Sequence, residues 1–152
     1  MENHGDDGEK KLNSWSLIIW AMERKKILFV CVENSNRSQM AEAFANIHGH
    51  RKYKSFSAGS KPSGTVNPMA IASMNQLGYD LAAHHSKSLK DIEQEAPFEV
   101  VVTMGCGDAC PWIPAKKFID WQIRDPRDMP PDRFNEVRNE IESKVKELLA
   151  TL

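Results

Sequence analysis

The stretch Ile27-Leu28-Phe29-Val30-Cys31-Val32-Glu33-Asn34-Ser35-Asn36-Arg37-Ser38-Gln39-Met40-Ala41-Glu42-Ala43-Phe44 carries two different periodicities, one after the other. Its first five residues form a continuous apolar run bounded by charge, the pattern of a strand buried on both faces. A polar loop, Glu33 to Asn36, interrupts it. Met40, Ala43, Phe44 and Ile47 then recur at three- and four-residue spacing and close near Gly49, which predicts an amphipathic helix. A strand feeding a helix through a short polar loop is the building unit of an α/β fold.

The same alternation continues along the chain. Tyr53 to Ala58 reads as a second strand, ended by Gly59. Pro68 opens a helix through Ile71, Met74 and Leu77, with Gly78 as its stop. A short third helix is expected from Lys87 to about Glu95, and Phe98 to Met104 is a second buried strand pattern around Val100-Val101-Val102. A weaker strand is expected at Phe118 to Gln122. Pro130-Pro131-Asp132 opens the last helix, whose apolar stripe is Phe134, Val137, Ile141, Val145 and Leu148. Strands and helices alternating through short connections predict a doubly wound, four-stranded parallel sheet flanked by helices. Ligands of such sheets bind beyond the carboxyl ends of the strands. Cys31, Cys106 and Arg124-Asp125-Pro126 all follow predicted strands and so share that edge.

Bulk composition narrows the class. The chain has 152 residues, 41% hydrophobic and 27% charged, with a net charge of -1, which suits one globular domain and lacks the basic footprint of a nucleic-acid binder. Three cysteines, an odd and sparse count, argue against a secreted disulfide scaffold. No apolar run approaches the roughly 20 residues needed to span a bilayer, and Trp15 to Met22 lacks the flanks of a signal peptide. A cytoplasmic monomer with no membrane partner is expected. Residues 1–24 read as a dispensable leader or start-site extension, or else as a helix that caps the body or pairs two copies; the domain is expected at 25–152.

Five residues separate Cys31 from Arg37. They suffice to wrap the backbone around a tetrahedral oxyanion, with the amides of Val32, Glu33, Asn34, Ser35 and Asn36 pointing inward and the helix N-terminus adding its positive end. Arg37 can fork two hydrogen bonds onto two oxygens. Cys31, at the floor of that field, is expected to ionise below the ordinary thiol value of about 8.5, and Ser38 can donate its hydroxyl to the thiolate. Alternatively, Cys31 is a buried cysteine at a strand end and Arg37 a surface residue.

Val30 to Ala43 resembles the phosphate loop of the low-molecular-weight protein tyrosine phosphatase superfamily, and Arg37-Ser38-Gln39-Met40-Ala41-Glu42 is typical of its arsenate reductase branch. The resemblance continues through Phe56-Ser57-Ala58-Gly59, Val66-Asn67-Pro68, His84-His85-Ser86, Val101 to Asp108 and Asp125-Pro126. It implies that Asp125 is the general acid, aimed by the proline that holds its backbone extended. It also implies a relay. Cys31 would form a thiol–arsenate adduct, Cys106 would attack Cys31 and release arsenite, and Cys110 would carry the disulfide outward to thioredoxin, or to glutathione and glutaredoxin, with no bound cofactor. Asn34, Glu42 and Ser57 match positions that bind potassium in some relatives.

The sequence departs from the family pattern in four places. Phosphatases of this fold usually carry glycine where Glu33 stands. Asn36 replaces a residue that is cysteine in many relatives, and Arg127 stands where phosphatases have tyrosine. Only three residues separate Cys106 from Cys110, fewer than in many thioredoxin-linked relatives. The competing functions are a phosphatase acting on phosphomonoesters and a non-catalytic oxyanion- or metal-responsive binding protein. His84 and His85 invite a metal reading beside Cys106 and Cys110, though they lie well before that pair.

Overall fold

The computed structural model describes residues 14–15, 24–105 and 112–152. Most of the leader, and both Cys106 and Cys110, lie outside these residues. Strand β1 (Lys25–Cys31) leads into helix α1 (Arg37–Gly49); strand β2 (Tyr53–Gly59) is followed by helix α2 (Pro68–Asn75). After a 3-10 turn at Leu81–Ala83 come a four-residue helix, α3 (Leu89–Ile92), and a second 3-10 turn, Glu93–Glu95. Strands β3 (Phe98–Thr103) and β4 (Ala115–Asp120) and helix α4 (Pro131–Thr151) complete the fold.

The four strands are all parallel in the order β2-β1-β3-β4, as the alternating pattern required. β1 is central because every one of its apolar residues has somewhere to go. Ile27, Phe29 and Cys31 face a core built with Met40 and Phe44 of α1, Met74 of α2, and Phe134, Val137, Ile141 and Val145 of α4. Leu28 and Val30 face the opposite layer, with Leu89, Ile92, Phe98, Val101 and Ile113. Full burial of each such side chain contributes about 1.5–3 kcal/mol. No helix of the described residues is long and apolar enough to cross a membrane.

Boundaries shifted in three places. α2 ends at Asn75 because Gly78, at φ 82, reverses the chain and Leu77 and Tyr79 bond back to Met74. The third helix starts at Leu89, where Ser88 and Asp91 form a reciprocal capping box. β4 lies three residues earlier than its apolar pattern suggested at the start, and two at the end, because it is an edge strand placed by its backbone ladder on β3. Phe118 is half exposed there, whereas Trp121 and Ile123, beyond the strand, are the buried residues.

Candidate active site

Cys31 is the last residue of β1, and Arg37 the first of α1; both are buried. The loop between them is held from outside by its carbonyls. Ser60 N–H donates to Cys31 O, Lys61 N–H to Val32 O, Ser63 N–H to Glu33 O, and Asn67 N–H to Ser35 O, at 3.1, 2.8, 3.0 and 3.1 Å. A trans peptide sets the next residue's N–H opposite its carbonyl. The amides of Val32, Glu33, Asn34 and Asn36 are therefore directed away from these partners. The turn needs one residue in the left-handed region, and Asn34 fills it at φ 51. Gly59 is required beneath: a Cβ there would lie 2.6 Å from Val32 O.

The side chains under the loop form one continuous, directed set of hydrogen bonds. Ser55 Oγ donates to Asn46 Oδ1 at 2.7 Å, and Asn46 Nδ2 donates to Tyr79 Oη at 3.0 Å. Tyr79 Oη lies 2.6 Å from His84 Nε2, and His84 Nδ1 lies 2.9 Å from Gln39 Oε1. Gln39 Nε2 donates to Asn34 Oδ1 at 2.8 Å, Asn34 Nδ2 donates to Ser38 Oγ at 2.7 Å, and Ser38 Oγ lies 2.9 Å from Cys31 Sγ. The amide of Gln39 accepts at its oxygen and donates at its nitrogen, so His84 carries a proton on Nδ1, and in the neutral ring Tyr79 donates to Nε2. Ser38 accepts from Asn34 and has its hydroxyl proton left for Cys31. Burial pushes His84 below the ordinary histidine pKa, against the opposing pull of Glu42, and pushes the Tyr79 phenol up. With both ring nitrogens engaged, His84 is a node of this network. Among the described residues no group of three or more metal-ligating side chains is assembled.

Arg37 is fixed from two sides. Its Nη1 donates to Ile123 O at 3.0 Å, and Nη2 lies 3.8 Å from Asp125 Oδ2. Gly105 lies against it at φ 83; a Cβ there would come within 2.5 Å of Nη1. Asp125 is part exposed beside the guanidinium, and its Oδ1 accepts from the N–H of Arg127 at 3.1 Å. Arg127 Nη1 in turn donates to Glu33 Oε2 at 2.8 Å. The two carboxylates at the mouth of the cradle thus each face a guanidinium. Of the positions Asn34, Glu42 and Ser57, the last two touch: Ser57 Oγ donates to Glu42 Oε1 at 2.6 Å. Lys87 supplies a positive charge among them, its Nζ 3.8 Å from Glu42 Oε1 and 3.4 Å from Ser57 Oγ. Asn34 Oδ1 is already engaged by Gln39 and by Lys87 N–H.

The arrangement brings Cys31, Ser38, Arg37 and Asp125 to one end of the sheet, side chains chemically able to serve as a nucleophile, an anion holder and a proton donor. Sequence reasoning missed Gln39, Tyr79, Asn46 and Gly105. Only Gln39 carried a signal, a polar residue directly before the apolar positions Met40, Ala43 and Phe44 that α1 buries.

Comparison with known proteins agrees with this geometry. The family model for low molecular weight phosphotyrosine protein phosphatase matches residues 26–152. A glutaredoxin arsenate reductase of Synechocystis sp. is 37% identical over 131 residues, covering 84% of this chain and 98% of its own. A solved arsenate reductase in the phosphate binding state superposes with a TM-score of 0.76 at 37% identity, over 84% of this chain and 98% of that one. The thioredoxin-dependent arsenate reductase of Corynebacterium glutamicum gives a TM-score of 0.72 at 30% identity, over 94% of this chain and 65% of that one.

Proposed function

This chain belongs to the low molecular weight phosphotyrosine protein phosphatase family, and we propose that it is an enzyme of that family that reduces arsenate to arsenite. The observation that carries the proposal is the buried Cys31 thiol, 2.9 Å from Ser38 Oγ, at the start of the short loop that ends at the buried Arg37. The arsenate reductase names of its relatives direct the oxyanion choice.

In this mechanism the Cys31 thiolate attacks arsenic while Arg37 and the amides of Val32, Glu33, Asn34, Ser35 and Asn36 hold the remaining oxygens. Asp125 protonates the departing oxygen, which leaves as water. Cys106 then attacks Cys31 Sγ: a sulfur–sulfur bond forms, the sulfur–arsenic bond breaks, and its electron pair reduces arsenic(V) to arsenic(III). Cys110 attacks Cys106, freeing Cys31, and an external dithiol carrier reduces the Cys106–Cys110 disulfide. Relatives named for glutaredoxin and for thioredoxin leave both carriers to be compared. The thiols must be reduced for the cycle to start, which suits the cytoplasm, and one chain supplies every group, which suits a monomer. Asn34, Glu42 and Ser57 fit a positive charge that braces the loop; Lys87 is placed to supply it, and potassium is the alternative.

The phosphatase reading uses the same cradle, with water in place of Cys106. Two further cysteines after β3, and Arg127 immediately after Asp125-Pro126, favour the reductase. Arsenite formation is to be measured with thioredoxin, thioredoxin reductase and NADPH, and in parallel with glutathione and glutaredoxin. Turnover should disappear in C31S and fall to a single adduct or less in C106S. Equal turnover by wild type and C106S would remove the relay, and full activity in C31S would remove the site.

A further inference from the structure

Two departures from the family pattern touch each other. Glu33, in the phosphate loop, and Arg127, in the acid loop, are 94 positions apart and joined at 2.8 Å. Both ends are anchored. The Glu33 carbonyl accepts from Ser63 N–H and Ser86 Oγ, each at 3.0 Å. The Arg127 N–H is bonded to Asp125 Oδ1, and Asp125 faces Arg37. The bridge therefore closes a ring that runs from the phosphate loop through Arg127 to the acid and back to Arg37.

From this we infer that the Glu33–Arg127 pair is a clasp across the mouth of the cradle that sets substrate size, favouring a free inorganic oxyanion over an organic phosphomonoester; the inference rests on the oxyanion role proposed above. A general acid must reach the leaving oxygen to within about 3 Å. Whatever else is bonded to that oxygen must then pass beside Asp125, where Arg127 stands. Arsenate carries only hydrogen on that oxygen and leaves the clasp closed. An aryl or alkyl ester must open it. The charges also matter together: unpaired, Glu33 would repel every anion, and Arg127 cancels that repulsion. Because both side chains are substantially exposed, opening the clasp is a modest cost, up to about fivefold in affinity.

The test reads binding at Cys31 without turnover. Iodoacetamide alkylation of Cys31 is followed by mass spectrometry, and protection constants are measured for inorganic phosphate, an oxyanion of arsenate's shape that the thiols do not reduce, and for phenyl phosphate in wild type, E33Q, R127A and the reversed pair E33R/R127E. Taking the ratio of the two constants cancels the change in net charge. Relative protection by phenyl phosphate should rise about two- to fivefold in E33Q and R127A, and return toward wild type in the reversed pair. High salt should narrow the gap between wild type and the single variants, since the pair is screened. An unchanged ratio in both single variants, or a reversed pair no better than either, would overturn the clasp while leaving the oxyanion site intact. Failure of every oxyanion to protect Cys31 would overturn the oxyanion site and the clasp with it.

Discussion

Replacing Asn34 by alanine tests how the cradle is held in shape. Asn34 is fully buried, and its side chain makes three hydrogen bonds: to Ser38 Oγ at 2.7 Å, from Gln39 Nε2 at 2.8 Å and from Lys87 N–H at 2.9 Å. Gln39 Nε2 keeps other acceptors, the Asn34 and His85 carbonyls at 3.2 and 2.8 Å, so its loss is partial. Lys87 N–H has no such alternative in this geometry. Counting about 1 kcal/mol for each full bond and about 1–3 kcal/mol for a buried donor left unpaired gives roughly 2–4 kcal/mol. The backbone adds to it. At φ 51 asparagine is tolerated, but alanine costs about 1–2 kcal/mol. N34A should therefore lose about 3–6 kcal/mol, read as a drop in urea midpoint at unchanged m-value. N34G removes the backbone strain and adds unfolded-chain entropy of about 0.5–1 kcal/mol, so it should be the more stable of the two by roughly 0.5–1 kcal/mol. N34D keeps an acceptor for Lys87 but offers Ser38 a carboxylate oxygen in place of a donor. Ser38 then turns its proton from Cys31 to the introduced carboxylate, and Cys31 alkylation should change at a stability above that of N34A. A loss below about 1.5 kcal/mol in N34A, or N34G no more stable than N34A, would show that the loop is not organised by this residue.

Other consequences follow from the same contacts. Burial holds His84 below its unfolded pKa of about 6.5. The unfolded chain thus binds more protons in the window between the two values, and this contribution, complete above about pH 6.5, is lost as pH falls through it. Glu42 opposes the shift, while Lys87 and His85 reinforce it; urea midpoints from pH 7.5 to 5 should fall less steeply in H84Q than in wild type. G105A forces a Cβ to within 2.5 Å of Arg37 Nη1 at a φ of 83, so the guanidinium must move; KM for arsenate should rise by roughly tenfold or more as a bidentate contact worth about 1.5–3 kcal/mol is misaligned. D125N keeps the shape of the acid loop but cannot protonate the departing oxygen, and single-turnover adduct formation should slow by about 100- to 10,000-fold.

The alternation of apolar strand and amphipathic helix determined the α/β class before any coordinates, because those periods can be satisfied only by a sheet with helices packed on it. The run Ile27 to Cys31 implied burial on both faces, since a strand apolar on both faces needs cover on both. Cys31 and Arg37 were legible for the same reason: five residues between a strand end and a helix start place both at one edge, whatever the rest of the chain does. Glu33 and Arg127 were each visible only as separate departures, and nothing in linear spacing said that they meet. His84 looked like a candidate ligand until the fold placed Tyr79 on one nitrogen and Gln39 on the other. Such contacts join residues far apart in the chain, and their geometry is set by how loops return over the sheet edge. Local pattern decides which elements form and where a loop of special chemistry begins; only tertiary packing decides which polar side chains satisfy one another beneath it and which charges close over its mouth.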